Sequence, residues 1–162
     1  MKKRLVMHLG LVLLALGHAS VAVAAMEDAR AIVERANVAS YYAGDDGRSA
    51  ARMLIEDGNG NRQQRQFTLL RKDVSDGGDQ RYLVVFSRPA DIRGTVFRVE
   101  KHVGADDDRW LYLPALDLVK RIAAGDKRTS FVGSHFFYED ISGRGLDEDN
   151  HRLVETTDAH YI

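Results

Sequence analysis

The sequence has 162 residues, with 23 lysines and arginines, 24 aspartates and glutamates, no cysteine and 44% hydrophobic residues. A net charge of −1 lacks the basic surface that nucleic-acid binding needs, so we expect no nucleic-acid partner. The length fits one domain with a single core, and the apolar fraction excludes a wholly disordered chain. Without cysteine, the chain can form neither disulfides nor zinc or iron–sulfur sites of the thiolate type.

The N-terminal segment has the pattern of a secretory signal peptide. Basic residues open the chain, a mostly apolar run follows, and Ala22-Val23-Ala24 supplies the small residues of a cleavage site. An uncleaved membrane anchor is the alternative, but His18 and Ser20 interrupt the run before it reaches the about 20 apolar residues of a membrane span. We therefore predict a signal peptide at residues 1–24, cleavage near Ala24, and a periplasmic domain over residues 25–162.

The mature chain begins with one helical pattern and continues with strand patterns. Residues 27–39 predict an amphipathic helix, because apolar residues recur there at helical spacing. Strand-like segments then alternate with clusters of Gly, Asp and Asn, which favour turns. The strand candidates lie at residues 49–56, 62–72, 81–86, 95–102, 109–113, 118–122 and 130–140, with a last polar–apolar stretch from 151. One helix and about seven strands predict an α+β fold with an antiparallel sheet.

Two features of the strand pattern leave alternatives open. Residues 82–86 and 110–113 are apolar at both odd and even positions, whereas a sheet with one solvent-exposed face alternates apolar with polar residues. Either both faces of a central strand are buried by protein, or one face lines an apolar ligand cavity. The chain also ends at residues 158–162 within a strand-like pattern, so either its partner strand lies earlier in the chain or the fold is incomplete at the C-terminus.

The sequence offers little support for catalysis or metal binding. Asp57-Gly58-Asn59-Gly60-Asn61 resembles the start of a calcium loop, but Arg62 and Thr68 stand where such a loop has glycine and glutamate, which favours a hairpin turn. The three acids at residues 106–108 could chelate a hard cation, although a solvated turn is the simpler interpretation. No serine lies in a nucleophile elbow, and no two histidines have a metal-ligand spacing. We therefore predict no enzyme, metal site or cofactor.

Several blocks of the sequence carry a specific family resemblance. The blocks at residues 88–95, 106–116, 119–122, 126–134 and 138–140 resemble the outer membrane lipoprotein-sorting proteins of the LolA-like superfamily. The similarity extends from the helix near Asp28 to about residue 155. His135 departs from the family pattern, which more usually has an acid there. Members of the family are longer, so the sequence resembles the N-terminal part of one.

The resemblance implies an unclosed antiparallel half-barrel, with the N-terminal helix over its concave face and an apolar cavity for acyl chains. It implies a periplasmic carrier that binds the acyl chains of lipoproteins or lipids and moves them toward the outer membrane. The expected partners are an inner-membrane exporter or lipid-releasing complex and an outer-membrane acceptor. Two alternatives remain, an accessory protein of an exporter of the resistance-nodulation-division type and a periplasmic hydrolase.

Strand parity and the aromatic residues give a hypothesis for the site. The expected cavity lining consists of apolar residues that share parity within their strands, together with one later aromatic: Phe67, Leu69, Tyr82, Val84, Phe86, Trp110, Tyr112 and Phe131. Basic residues among the aromatics would contact an anionic headgroup or a partner: Arg109, Lys120, Arg121, Lys127 and Arg128. The simpler interpretation of both sets is ordinary core and solvated rim.

Overall fold

A computed structural model describes residues 19–155, and describes side chains from residue 29 onward. The predicted signal peptide therefore lies mostly outside the described residues, and so does the C-terminal stretch from residue 156. The described residues divide into two units: residues 37–148 form one compact unit, and residues 19–36 and 149–155 belong to the other. The sheet and the candidate site belong wholly to the unit of residues 37–148.

The helix α1 spans Ala19–Tyr41 and is longer than the predicted 27–39. It continues through an alanine-rich stretch that has strong helix propensity but only weak amphipathic periodicity, which is why the sequence pattern did not extend the helix that far. Gly44, with φ of +74°, lies just beyond its end. Within the described part of the chain, no helix has the length and apolarity needed to cross a bilayer.

Six strands follow the helix and pair in chain order as an antiparallel sheet that does not close. The strands are β1 (Asp46–Glu56), β2 (Arg62–Asp73), β3 (Gln80–Arg88), β4 (Val96–Lys101), β5 (Asp108–Leu113) and β6 (Leu118–Ile122). The first and last strands form the two edges. The predicted α+β class and the unclosed half-barrel type of sheet are confirmed.

The turn between β1 and β2 is a hairpin stabilised by one aspartate, as the sequence favoured. Asp57 Oδ1 accepts hydrogen bonds from the backbone N–H groups of Asn59 and Asn61, each at 2.9 Å. The Asn61 side chain donates to Asp57 Oδ2 at 2.8 Å, and these hydrogen bonds hold the pKa of Asp57 below its usual value. Gly60 provides the positive φ, +80°, that the turn requires.

The predicted strand at residues 130–140 is wrong. Val132 and Gly133 both have positive φ, which breaks the extended backbone, and Phe131 N–H donates to Phe136 O across a closed loop. A single bridge between Ser130 and Phe137 is the only strand-like pairing of this segment with itself in the described structure, and a short 3-10 helix follows at Tyr138–Ile141. Residues 151–155 also lack regular structure.

The core lies against one face of the sheet, here called the core face. Residues directly opposite in the antiparallel register share a face, so Phe86 and Val84 of β3 lie beside Phe67 and Leu69 of β2. The loop that follows β6 inserts Phe131 onto this face, where its ring contacts those of its aromatic neighbours at centroid distances of 5.4–6.5 Å: Phe67, Phe86, Phe97 and Tyr138. This aromatic cluster fills the space above β3 and β4.

Candidate functional site

A cavity of about 1030 Å³ lies over β1 and β2, beside the aromatic cluster. It is partly open to solvent and lined mainly by apolar side chains. Its lining is Ser40, Tyr41, Ala43, Gly47, Ser49, Ala51, Arg52, Met53, Leu54, Phe67, Leu69, Arg71, Tyr82, Phe131, Phe136, Asp140 and Ile141. This volume lies at the upper limit of the range of about 300–1000 Å³ that is usual for ligand pockets.

The small residues of β1 explain why space remains at this place. Gly47, Ser49 and Ala51 alternate along the core face of the strand, opposite Arg71, Leu69 and Phe67 of β2. On β3 the corresponding positions carry large side chains, and the sheet surface there is filled. The cavity is therefore deep at this place because the side chains of its floor are small.

The loop after β6 supplies the wall opposite the floor. Phe131 is 1% exposed and belongs to the aromatic cluster, whereas Phe136 is 56% exposed and borders the opening. Ser134 holds the loop in shape, because its hydroxyl donates to Phe131 O at 2.7 Å and accepts from Phe136 N–H at 3.1 Å. One short loop thus provides both a buried wall and an exposed rim.

Polar side chains close the end of the cavity near the last turn of α1. Arg71 donates to the carbonyl oxygens of Tyr41, Ala43 and Gly44, and its guanidinium lies 3.5 Å from Asp73. A cation at this place also opposes the negative end of the helix dipole. The charge and the donors of this arginine are thus engaged by protein, and Arg71 is a structural tie between the helix end and β2.

A second buried polar chain reinforces this closed end. Gln80 is fully buried, and its Nε2 donates at 2.7 Å to both Tyr41 O and Asp73 Oδ1. The Tyr82 hydroxyl donates to Gln80 Oε1 at 2.6 Å. Burial raises the pKa of Tyr82, so the phenol keeps its proton and remains the donor. Every polar group of this chain has a partner, as buried polar groups require.

The structure separates the predicted lining residues into three groups. Phe67, Leu69, Tyr82 and Phe131 do line the cavity. Val84 and Phe86 share their face but are buried in the core beneath Phe131, at 0% and 1% exposure.

The predicted placement of the remaining two residues, Trp110 and Tyr112, is wrong. In β5 the residues that face the core are Arg109 and Leu111, because these pair with Val99 and Phe97 of β4. Trp110 therefore lies on the outer face, where the Arg98 guanidinium stacks 5.3 Å from its ring centroid.

None of the five predicted cations lines the cavity. Arg109 is buried on the core face and pairs with Asp107 at 2.6 Å, while Arg121 pairs with Asp108 on the outer face. Lys120 is exposed on the edge strand β6.

The other two predicted cations are held by acids of their own loop. Glu139 lies 3.9 Å from Lys127 and 3.0 Å from Arg128, and Glu148 lies 2.6 Å from Lys127. Lys127 and Arg128 therefore do not form a positively charged opening of the cavity.

The sequence analysis predicted neither the floor of the cavity nor the two arginines that line the cavity. The signal for the floor was partly present, since small residues stand at positions 49 and 51 of the strand candidate 49–56, opposite the large apolar Leu69 and Phe67, and Gly47 continues the alternation just before that candidate. The arginines at the cavity, Arg52 and Arg71, carried no comparable signal, because basic residues recur along both strands.

The titratable groups outside the cavity form no metal site among residues 29–155, where no group of three or more potential ligands converges. His102 bridges two carboxylates instead, with Nδ1 3.3 Å from Asp79 and Nε2 3.5 Å from Asp108. The hydrogen bond to Asp79 raises the pKa of His102 above its usual value.

Comparisons with known proteins find a family model and solved structures that are similar to this chain. A family model described as that of an uncharacterized protein matches residues 78–161. The crystal structure of a DUF1329 family protein from Desulfovibrio piger is 34% identical with a TM-score of 0.73, and the match covers 83% of this chain and 57% of that one. No curated protein matches the chain.

A second solved structure carries a functional name. A domain from Vibrio parahaemolyticus, whose name proposes it as an outer membrane lipoprotein-sorting protein domain, is 31% identical with a TM-score of 0.67. That match covers 77% of this chain and 52% of the other. The chain therefore spans little more than half the length of the solved structures that it matches.

Proposed function

The chain belongs to the LolA-like family of outer membrane lipoprotein-sorting proteins, and from that premise we propose that it is a periplasmic carrier of acyl chains. The cavity over β1 and β2 is the proposed binding site. The cargo is the acyl portion of a lipoprotein or lipid, which the protein shelters from water between two membranes. The donor is an exporter or lipid-releasing complex of the inner membrane, and the acceptor lies in the outer membrane.

The observation that carries this proposal is an apolar cavity on an otherwise filled sheet. Met53, Phe67, Leu69, Phe131 and Ile141 line it, and such side chains attract hydrocarbon rather than a polar substrate. Each buried CH₂ contributes about 0.8 kcal/mol, so a dozen methylenes give roughly 10 kcal/mol before the costs of ordering and association. That driving force suffices for binding by partition alone, without a covalent step.

The free energy of binding also determines whether the cargo can be released. A carrier has to give up its cargo, so the free energy of binding must be comparable with that of the membrane or acceptor that receives the chain. The exposed rim at Phe136 and Leu54 leaves one side of the cavity accessible to an incoming chain. The proposal therefore assigns entry and exit to this side and none to the closed end at Arg71.

A pair of substitutions on adjacent residues tests the proposed site. Ala51 lies on the cavity floor, and Ala51→Trp would fill the space above it. Ala50 faces the opposite side of the same strand, where it pairs with Thr68, so Ala50→Trp is a matched control. Binding of a fluorescent fatty acid and native mass spectrometry of the protein purified from membranes measure the effect.

We expect copurified lipid in the unsubstituted protein, at least a tenfold loss of fatty-acid affinity in Ala51→Trp, and little change in Ala50→Trp, since about 1.4 kcal/mol of lost contact is a factor of ten. Circular dichroism checks that each variant folds. The absence of any bound lipid or fatty acid in the folded, unsubstituted protein would contradict the proposal.

A further inference from the structure

Two arginines lie next to the apolar lining of the cavity: Arg52 borders the cavity itself, and Arg65 is a neighbour of two lining residues without being one of them. Arg65 lies on β2 directly opposite Met53 of β1, and two residues before Phe67 on the same face of the strand. Met53 and Phe67 both line the cavity. Arg52 borders the cavity from the edge strand beside Met53, although its register places it opposite Gln66 and toward the other face. These two residues are here called the rim arginines.

Arg65 has donor capacity that the protein does not use. Its Nη2 donates to Gln63 Oε1 at 2.8 Å, but its Nε is buried and has no hydrogen-bond partner among the described residues. Native proteins pair the large majority of buried donors, so a buried donor without a protein partner beside a cavity is available to an acceptor atom of a bound ligand. A guanidinium offers its donors in a planar fork that matches phosphate or carboxylate oxygens.

The charge of the rim arginines is also unbalanced. Across the described residues, neither Arg52 nor Arg65 forms an ion pair with an acid, whereas Arg62 nearby pairs with Glu56 at 2.7 Å. Arg71 at the closed end differs from both, because backbone carbonyls and Asp73 engage it. Positive charge is therefore left available at the open end alone, next to the apolar lining.

We propose that the cargo of the cavity is an anionic acyl lipid, with its phosphate at the rim arginines and its hydrocarbon in the cavity. The inference rests on the proposed function and specifies its cargo. A cation at the rim and apolar side chains below it fit an amphipathic molecule that enters tail first. The negative headgroup then accepts the hydrogen bond that Arg65 Nε lacks, and it stays near solvent, where Arg52 is exposed.

Three lipids with identical acyl chains separate the headgroup from the tail. Native mass spectrometry measures the affinity of the full chain for phosphatidylglycerol, phosphatidylcholine and diacylglycerol, and inorganic phosphate alone is a fourth ligand. The variants are Arg65→Gln, Arg65→Lys and Arg52→Gln. Arg48→Gln is the matched control, since Arg48 is also an exposed arginine of β1 but pairs with Leu70 on the outer face and does not line the cavity.

Phosphatidylcholine carries the same phosphate together with a cationic choline, so it should bind less tightly than phosphatidylglycerol. We expect phosphatidylglycerol to bind about tenfold more tightly than diacylglycerol, which has no phosphate, and this preference is the effect of about one charge-assisted hydrogen bond. Arg65→Gln should abolish that preference and leave diacylglycerol binding unchanged, Arg52→Gln should reduce it, and Arg65→Lys should retain part of it because the charge remains. Arg48→Gln should behave as the unsubstituted protein does. Inorganic phosphate should bind far more weakly than the lipid.

Two other results would overturn the inference and spare the proposed function. One is diacylglycerol binding with no preference for the anionic lipid, or with a preference that survives Arg65→Gln. The other is inorganic phosphate that binds as tightly as phosphatidylglycerol, which would make the rim a site for a free anion. Failure of all three lipids to bind would overturn the proposed function and the inference together.

Discussion

Gly143 shows how closely a single residue is fitted at the closed end of the site. Its φ is +75°, and a Cβ at this position would lie 2.8 Å from two ring atoms of Tyr41. Lys101 Nζ lies 5.8 Å from the centroid of the same ring and donates to Gly143 O at 3.1 Å. The tyrosine at the end of α1 therefore packs against backbone that has no room for a side chain.

Gly143→Ala should destabilise the protein by about 2–3 kcal/mol, since it adds a steric clash to the strain of a positive φ. Gly104→Ala is the control, because Gly104 has φ of +79° and no atom within 4 Å of the added Cβ. That control isolates the backbone strain, about 1 kcal/mol. Urea unfolding measures both values, and equal losses would show that the contact with Tyr41 adds nothing.

Arg109 shows what could not be predicted for a single residue from the sequence pattern. The sequence pattern of β5 predicted an inward Trp110 in the cavity lining and assigned Arg109 to contacts with a headgroup or a partner, since a charged residue is seldom buried. The structure has the reverse, because Asp107 lies 2.6 Å from Arg109 and compensates the buried charge. Asp107 and Arg109 are two residues apart at the start of β5, and their pairing depends on where the fold places both side chains. Hydrophobic periodicity carries no information about that placement.

At the scale of elements, the six strands of the meander were predictable and the loop after β6 was not. Turn residues such as Asp57 and Gly60 mark the hairpins, and the apolar or alternating segments between the turns mark the strands. The segment at residues 130–140 has the aromatic content of a strand, yet Val132 adopts a positive φ of 46° that a β-branched residue rarely takes. The loop conformation is imposed by the burial of Phe131, which is a tertiary effect.

A polar clasp joins the ends of four neighbouring strands on the side of His102. Asp79, just before β3, and Asp108 of β5 flank the imidazole, and Asp108 pairs in turn with Arg121 of β6. Asp79 Oδ1 also accepts from Val103 N–H at 2.9 Å. The clasp is exposed to solvent, so its contribution to stability is modest.

The clasp predicts a pH-dependent stability. Since Asp79 raises the pKa of His102 in the folded protein above its usual 6.5, the stabilisation is fully present below that pH and is lost as pH rises through the raised pKa. His102→Ala should therefore cost up to about 1 kcal/mol near pH 5.5 and clearly less near pH 8.5. Urea unfolding at both pH values measures it, with the exposed His135→Ala as control. A cost that grows with pH would contradict this assignment.

In the whole unit of residues 37–148, one face of the sheet serves two purposes. Above β3 and β4 it carries a closely packed aromatic cluster, and above β1 and β2 it remains open as a cavity. The sequence left these two uses of an apolar sheet face as alternatives, and the structure contains both, side by side. Their boundary is Phe131, which belongs to the cluster and lines the cavity.

Two phenylalanines of the same loop separate core from rim experimentally. Phe131→Ala should cost about 3–5 kcal/mol, because it removes a buried ring that contacts four others. Phe136→Ala should cost about 0.5 kcal/mol, because that ring is 56% exposed. Thermal and urea unfolding provide the comparison, and similar costs for the two variants would mean that the aromatic cluster does not hold the fold together.

The three small residues of β1 that form the cavity floor determine how wide the cavity is. Gly47, Ser49 and Ala51 stand on an edge strand, so added bulk there narrows the hollow without disturbing the rings above β3. An exchange of glycine for alanine, or of alanine for valine, removes space one or two methyl groups at a time. These three residues therefore limit the size of the ligand that fits. Homologous chains with larger residues at these positions should bind narrower or shorter ligands.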